Sequence, residues 1–228
     1  MKKIVIFGNS EIADLAYYYF LNDSEFKVIA FTIDDSYIKN DSFNKLPLIP
    51  FSQIEKEFSP KEYLMHVALS YKKLNQLREE KFNLCFSKGY DFASYISSKS
   101  IFLNNTNFIG KNCFILENQV IQKGVVIGNN VMLWSGNHIG HNTKIGDHTY
   151  ISSHVVISGN CTIGQRCFFG VNSAVKDFTK VDDDCFVTMG SNITKDMKKG
   201  SVSINSNTEI YDNDSRFSKI IKKKYFDL

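Results

Sequence analysis

Proline is scarce in this sequence, three residues in 228, and tryptophan occurs once. Glycine adds only thirteen, so the composition argues against a long disordered region. Cysteine is an odd five at no framework spacing, which excludes a disulfide scaffold and points to a reducing cytoplasm. A charge excess is missing too. The balance of 27 basic against 24 acidic residues leaves +3 and gives no reason to expect nucleic acid or a membrane as a partner. No apolar run approaches the ~18 residues of a membrane span. At the start, Met1-Lys2-Lys3 precedes the apolar run Ile4 to Gly8, but Asn9, Ser10 and Glu11 end it too early for a signal peptide. The chain is nonetheless 43% hydrophobic, enough to bury a core in one or two domains.

The strongest pattern is an internal repeat. From Ile109 every sixth residue is apolar, through Ile115, Ile121, Ile127, Leu133, Ile139, Ile145, Ile151, Ile157, Ile163, Phe169, Val175, Val181, Val187 and Ile193. With about 45% of residues apolar, chance gives such a run far less than about once in 10⁴ trials. Four places on, the side chain is usually small, as at Cys113, Val125, Thr143, Cys161 and Cys185. The place directly after the aliphatic is often glycine, as at Gly110, Gly128, Gly140, Gly146, Gly164 and Gly170. A period of six fits neither a helix nor a simple strand. It fits short strands that turn a corner every six residues, with glycine expected to relieve a corner backbone at positive φ. One turn cannot bury its own inner face, so turns must stack into a β-solenoid.

The repeat resembles that of the hexapeptide-repeat acyltransferases over residues 109–193. The resemblance implies a left-handed parallel β-helix with eighteen residues per triangular coil. Its protruding loop and its G-x-P-A-K type ending are absent here. Residues 1–100 differ in pattern: apolar strands at Lys3–Phe7, Lys27–Ile33 and Tyr63–Ser70, helices at Ile12–Leu21 and Tyr71–Phe86. This β-α-β order predicts a small α/β Rossmann-like domain. Residues 101–195 are then the β-helix domain, and 196–228 a C-terminal extension with a short helix from Asp214-Ser215 through Phe217, Ile220, Ile221 and Tyr225. Lys222 to Lys224 suit the C-terminal end of that helix, either as a solvated basic face or as a clamp on CoA phosphates.

The turn Gly8-Asn9-Ser10 has two readings, a capped helix start or a phosphate site at a helix N-terminus. Asp34 and Asp35 likewise form a solvated turn or accept bonds from a base or ribose. A Rossmann-like domain ahead of a β-helix is similar to the bacterial nucleotide amino-sugar N-acetyltransferases and the sialic-acid O-acetyltransferases. That resemblance implies that Gly8, Asn9, Ser10, Asp34 and Asp35 hold the nucleotide of a nucleotide-linked sugar, although the second glycine and the histidine usual in that turn are missing.

Four histidines, His138, His141, His148 and His154, fall within seventeen residues. Spacings of 3, 7 and 6 put them on different parts of an eighteen-residue coil, which argues against a metal. A γ-carbonic-anhydrase-like hydratase, the rival of another class, uses a histidine pair five apart that this sequence lacks. His141 is the candidate general base. It follows an inward aliphatic by two places, so its ring points outward, and imidazole accepts a proton readily at neutral pH. The resemblance implies the same role for this position. It places an acid next in sequence, where Asn142 stands, a neighbour able to orient the ring without charge. Eighteen residues on, Gly159 is expected to stack on His141 and give its N–H to the oxyanion.

The resemblance further implies acetyl-CoA contacts at Val171, Gly190 and Tyr150, no metal, and a homotrimer in the cytoplasm. Trp134 and His138 are expected either to line the acceptor pocket or, for Trp134, to pack between subunits. The implied activity is acetyl transfer from acetyl-CoA to a nucleotide-linked amino sugar in surface-glycan (lipopolysaccharide) biosynthesis, with sugar O-acetylation as the alternative. The repeat cysteines are read as structural.

Overall fold

The computed structural model describes residues 1–103, 107–205, 212–213 and 215–226, the last helix without the side chains at 221 and 224–226. The N-terminal unit is a five-stranded sheet of order β3-β4-β2-β1-β5. Its elements are β1 (Lys2–Phe7), α1 (Glu11–Asn22), β2 (Phe26–Ile33), β3 (Ser42–Phe43), β4 (Leu46–Pro50), α2 (Ile54–Glu57), β5 (Leu64–Val67) and α3 (Gln76–Ser87). All neighbours are parallel except the β3–β4 hairpin. The uninterrupted apolar runs of β1 and β2 are explained by burial on both faces, as a covered parallel sheet requires.

The helix expected from Tyr71 is shorter. Lys73, Leu74 and Asn75 sit at φ 54°, 50° and 67°, so residues 71–75 form a turn and α3 opens at Gln76. Asn75 is the reason. Its buried amide donates to the carbonyls of Arg166 and Cys167 and accepts from Arg78, which ties the turn to the repeat region.

Two-residue strands then stack on three faces. The first face carries the strands starting at Tyr95, Phe114, Met132, Tyr150, Phe168, Phe186 and Val202; the second those at Ile101, Val120, His138, Val156, Ala174 and Asn192. The third carries those at Phe108, Val126, Lys144, Thr162 and Lys180. Every pair is parallel, and between Phe108 and Ile193 the partners stand eighteen residues apart, whereas the last pair, Phe186 with Val202, is sixteen apart. This is the left-handed parallel β-helix. The aliphatics of the six-residue period form one continuous inner core, each buried side chain contributing about 1.5–3 kcal/mol.

The solenoid is longer than the visible repeat, running from Tyr95 to Ser203. Phe102 and Ile109 are seven residues apart, and this extra residue throws the first coil out of phase with the rest. The corner glycines also serve a different purpose from the one expected. Positive φ falls on residues such as Asn112, Asn130, Asn142, Asn160 and Asn172, whereas Gly110, Gly140 and Gly146 are not at positive φ. A Cβ on Gly110 would lie 2.6 Å from Gly128 backbone, so these glycines permit close stacking of coils. Asparagine, which tolerates the left-handed region, takes the turn itself.

The N-terminal unit is docked on the first face. Phe114, Leu116, Met132 and Tyr150 share a core with α1 and β1. A polar seam runs along the corner between the third and first faces. There the buried Arg78 donates to the carbonyls of Asn130 (2.5 Å) and His148 (2.7 Å), and Asn112 accepts from Val67 N–H. The helix α4 (Arg216–Phe226) forms where the sequence suggested, with Phe217 and Ile220 about half exposed. Asp214 and the side chains of Ile221, Lys224 and Tyr225 lie outside the described residues. Among the described residues no helix is long and apolar enough to cross a membrane.

Candidate active site

His141 occupies the corner between the second and third faces, just past the strand His138–Ile139. Ile139 points into the core and Gly140 lets the next coil close, so the following side chain emerges into solvent. The exposed imidazole lies flat against Gly159. A Cβ on that glycine would stand 2.7 Å from His141 Nε2 and 2.9 Å from Nδ1. Gln122, one coil earlier, accepts the His141 backbone N–H at 2.8 Å and faces Nδ1 at 3.1 Å with the same oxygen. Asn160 places its amide nitrogen 3.3 Å from Nε2.

Two expected partners do something else. Asn142 makes no bond to the ring. It sits at φ 57°, and its amide donates to Asn160 Oδ1 at 3.2 Å. A residue in the left-handed corner conformation projects along the coil stack toward the next asparagine. The Gly159 N–H is also engaged, because Asp177 Oδ1, one coil on, accepts it at 2.8 Å. The same corner bond recurs where Asp147 accepts from Asn129 and Asp183 from Gln165. It satisfies a backbone donor that the turn leaves unpaired.

Tyr150, Val171 and Gly190 do not gather around His141 in one protomer. Tyr150 lies on the first face, buried beneath Tyr71 and stacked on Phe168 at 5.2 Å. Burial pushes its phenol up to about 12. Val171 is exposed at the corner between the first and second faces, and its carbonyl accepts the Gly190 N–H. Tyr150, Val171 and Trp134 line one open groove of about 420 Å³ with Phe168, Phe186 and Met189. His138 is half-buried on the second face.

In the N-terminal unit, Gly8 ends β1 at φ 137°, where a Cβ would meet the Ala68 carbonyl oxygen at 2.7 Å. Asn9 and Ser10 are exposed, and Ser10 caps α1 through its carbonyl but not its hydroxyl. Glu11 and Asp14 in the first turn oppose an anion there. Asp34 pairs with Lys81 at 2.9 Å, and Lys81 also pairs with Glu80. Asp35 accepts from the Ser52 hydroxyl (2.5 Å) and N–H (3.1 Å), which holds its carboxyl below the ordinary range. Both aspartates therefore already brace the sheet edge. The first face carries this unit, whereas His141 lies at the corner between the other two faces.

The four neighbouring histidines are dispersed. His148 is buried in the seam by Asn130 and Glu79, and His154 stands over Gly136 at the corner between the first and second faces. Among the described residues no group of three His, Cys, Asp or Glu side chains is placed to hold a metal. Cys113, Cys161, Cys167 and Cys185 are buried, and burial pushes the Cys167 thiol up to about 12.

Two family models match in succession: bacterial transferase hexapeptide (six repeats) over residues 124–159, and hexapeptide repeat of succinyl-transferase over 160–195. Together the two matches span residues 124–195, all of them within the stacked coils. No curated protein matches it in sequence. Solved structures share both parts of the fold. The acetyltransferase domain of PglB from Neisseria gonorrhoeae, also solved in complex with acetyl coenzyme A, is 19% identical at a TM-score of 0.75; the match covers 89% of this chain and 96% of that one. PerB from Caulobacter crescentus, in complex with CoA and GDP-perosamine, is 16% identical at 0.76, covering 90% and 95%. WeeI from Acinetobacter baumannii is 16% identical at 0.63, covering 90% and 97%. At these identities the likeness is one of fold.

Sequence reasoning missed Gln122, Asn160 and Asp177. A hexapeptide repeat offered the signal, since these residues sit nineteen before, nineteen after and two coils beyond His141.

Proposed function

We propose that this chain is an acetyl-CoA-dependent N-acetyltransferase acting on a nucleotide-linked amino sugar, as in bacterial surface-glycan assembly. One observation carries the reading: an exposed imidazole, held beside a glutamine amide, lies flush on a glycine in a hexapeptide-repeat solenoid. Its support is that proteins of the same two-part fold have been solved with acetyl-CoA, or with CoA and GDP-perosamine.

In the proposed mechanism the sugar amine attacks the thioester carbonyl carbon while His141 Nε2 takes its proton. The tetrahedral intermediate then collapses, the C–S bond breaks, and CoA leaves as thiolate. Gly159 N–H is the natural oxyanion donor, available once Asp177 releases it. Asn9, Ser10 and the ends of β1 and β2 form the carboxyl edge of a parallel sheet, the usual place for a nucleotide. The unit that holds that edge packs on the first face and His141 lies at the corner between the other two, so the working unit is a homotrimer in which neighbouring copies complete each site. Val171, Gly190 and the groove beside Tyr150 are assigned to the CoA arm contributed across that interface. The reaction belongs in the cytoplasm, where acetyl-CoA is available.

The test is mass spectrometry after incubating the protein with acetyl-CoA and a panel of UDP-, dTDP- and GDP-linked amino sugars. A product carrying one added acetyl group, stable to hydroxylamine, supports N-acetylation. A hydroxylamine-labile product means O-acetylation, and no acetylated product from any member refutes the reading.

A further inference from the structure

Resting on that reading of His141 as the base, we propose that Gln122 is the residue that positions its imidazole and fixes the proton on Nδ1. The side-chain amide of a glutamine has two ends, and their assignment is normally ambiguous. Here the backbone removes the ambiguity. The end of Gln122 that meets the His141 backbone N–H, at 2.8 Å, must be the oxygen, because a backbone N–H only donates. That same oxygen stands 3.1 Å from Nδ1. A carbonyl oxygen only accepts, so neutral His141 carries its proton on Nδ1 and its lone pair on Nε2. Asn160 completes the arrangement from the other side. Its NH₂ stands 3.3 Å from Nε2, and its oxygen is engaged by Asn142. Donor on one side and acceptor on the other both select the same tautomer.

Gln122 is also well anchored for this task. Its own N–H is bonded to the Ile139 carbonyl at 3.0 Å, within the ladder that carries His141. The side chain thus bridges two adjacent coils, and the ring angle is set by the solenoid. The residue next in sequence, Asn142, points along the corner stack. Unlike a carboxylate, an amide aligns the ring without adding charge to stabilise imidazolium. Replacing it by a carboxylate keeps both accepting bonds and adds that charge, so Gln122→Glu moves the acidic limb of the pH profile to higher pH.

The experiment has two arms. In the first, the full-length protein is labelled with ¹⁵N-histidine, and long-range ¹H–¹⁵N spectra report the tautomer of His141, assigned by its loss in His141→Ala. The Nδ1–H form is expected; an Nε2–H form overturns the proposal, and this arm needs no acceptor or variant of Gln122. In the second, kcat and KM are measured with acetyl-CoA and the amino sugar identified by the panel. Gln122→Ala lowers kcat by about tenfold to a hundredfold, comparable to the loss when a metal-bound histidine is deprived of its orienting partner, with KM for acetyl-CoA unchanged. Gln122→Glu restores turnover with the shifted acidic limb. Full turnover in Gln122→Ala, with His141→Ala inactive, overturns the positioning role and leaves the base intact. An active His141→Ala instead removes the base reading itself.

Discussion

Gly159 and Gly140 meet equally tight surroundings but predict opposite phenotypes when a methyl group is added. At Gly159 the new Cβ would lie 2.4 Å from His141 Cε1, where ordinary contact begins near 3.4 Å, so the ring must retreat by about 1.0 Å. The obstacle is an exposed side chain, and Gly159 is not at positive φ, so the backbone accepts alanine without strain. The ring leaves Gln122 and the reacting position. Displacements approaching 1 Å cost about 10²-fold in rate, so Gly159→Ala should lower kcat by about 10² while its melting temperature stays within about 2 °C of wild type. At Gly140 the new Cβ would stand 2.5 Å from Gly159 N and 2.7 Å from Ser158 O. Backbone held in a ladder cannot retreat, so Gly140→Ala should cost about 1–3 kcal/mol of stability, as overpacking does. Thermal melts and single-turnover kinetics on the two variants separate the effects. A fully active Gly159→Ala, or a destabilised one with proportionate loss of active fraction, would refute the reasoning.

Three further outcomes follow from the packing. The fully buried His66 is held down to about 4 by burial, so between that value and its ordinary 6.5 the unfolded chain binds a proton that the folded one refuses. Stability should therefore fall as pH drops through this window, by up to about 3 kcal/mol; denaturant midpoints should show it, and His66→Gln should flatten the slope. Arg78→Ala leaves two buried corner carbonyls unpaired and should destabilise by about 2–5 kcal/mol, with unchanged denaturant midpoints contradicting the seam. Finally, an inactive His141→Ala protein and one inactivated by Gly8→Val at the nucleotide turn should regain activity when unfolded, mixed and refolded together; no recovery would contradict sites completed by neighbouring copies.

Much of the architecture was legible because a six-residue period leaves few alternatives. Apolar positions from Ile109 to Ile193 marked the inner core directly, and a spacing of eighteen located His141 against Gly159. What escaped depended on phase or on side-chain direction. Tyr95 and Ile101 were invisible as coil strands because one extra residue before Ile109 broke the period. Tyr71 to Asn75 carried helical spacing, yet tertiary bonds to the corner carbonyls of Arg166 and Cys167 imposed a turn. At the site, sequence adjacency suggested Asn142 as the partner of His141. On a solenoid the neighbours of a corner side chain are one coil away, and Gln122 and Asn160 hold those places. Asp34 and Asp35 were legible as a carboxylate pair, but their use by Lys81 and Ser52 depends on elements beyond the turn.

The central claim is that His141 removes the acceptor's proton during acetyl transfer. The direct measurement compares wild type and His141→Ala for kcat on the identified amino sugar and for acetyl-CoA affinity, across a pH range extending below the amine's own pKa. The account predicts a kcat lower by about 10²–10⁴-fold, with the deficit widening at low pH and the acetyl-CoA Kd unchanged. Turnover of His141→Ala near the wild-type value throughout that range would contradict it.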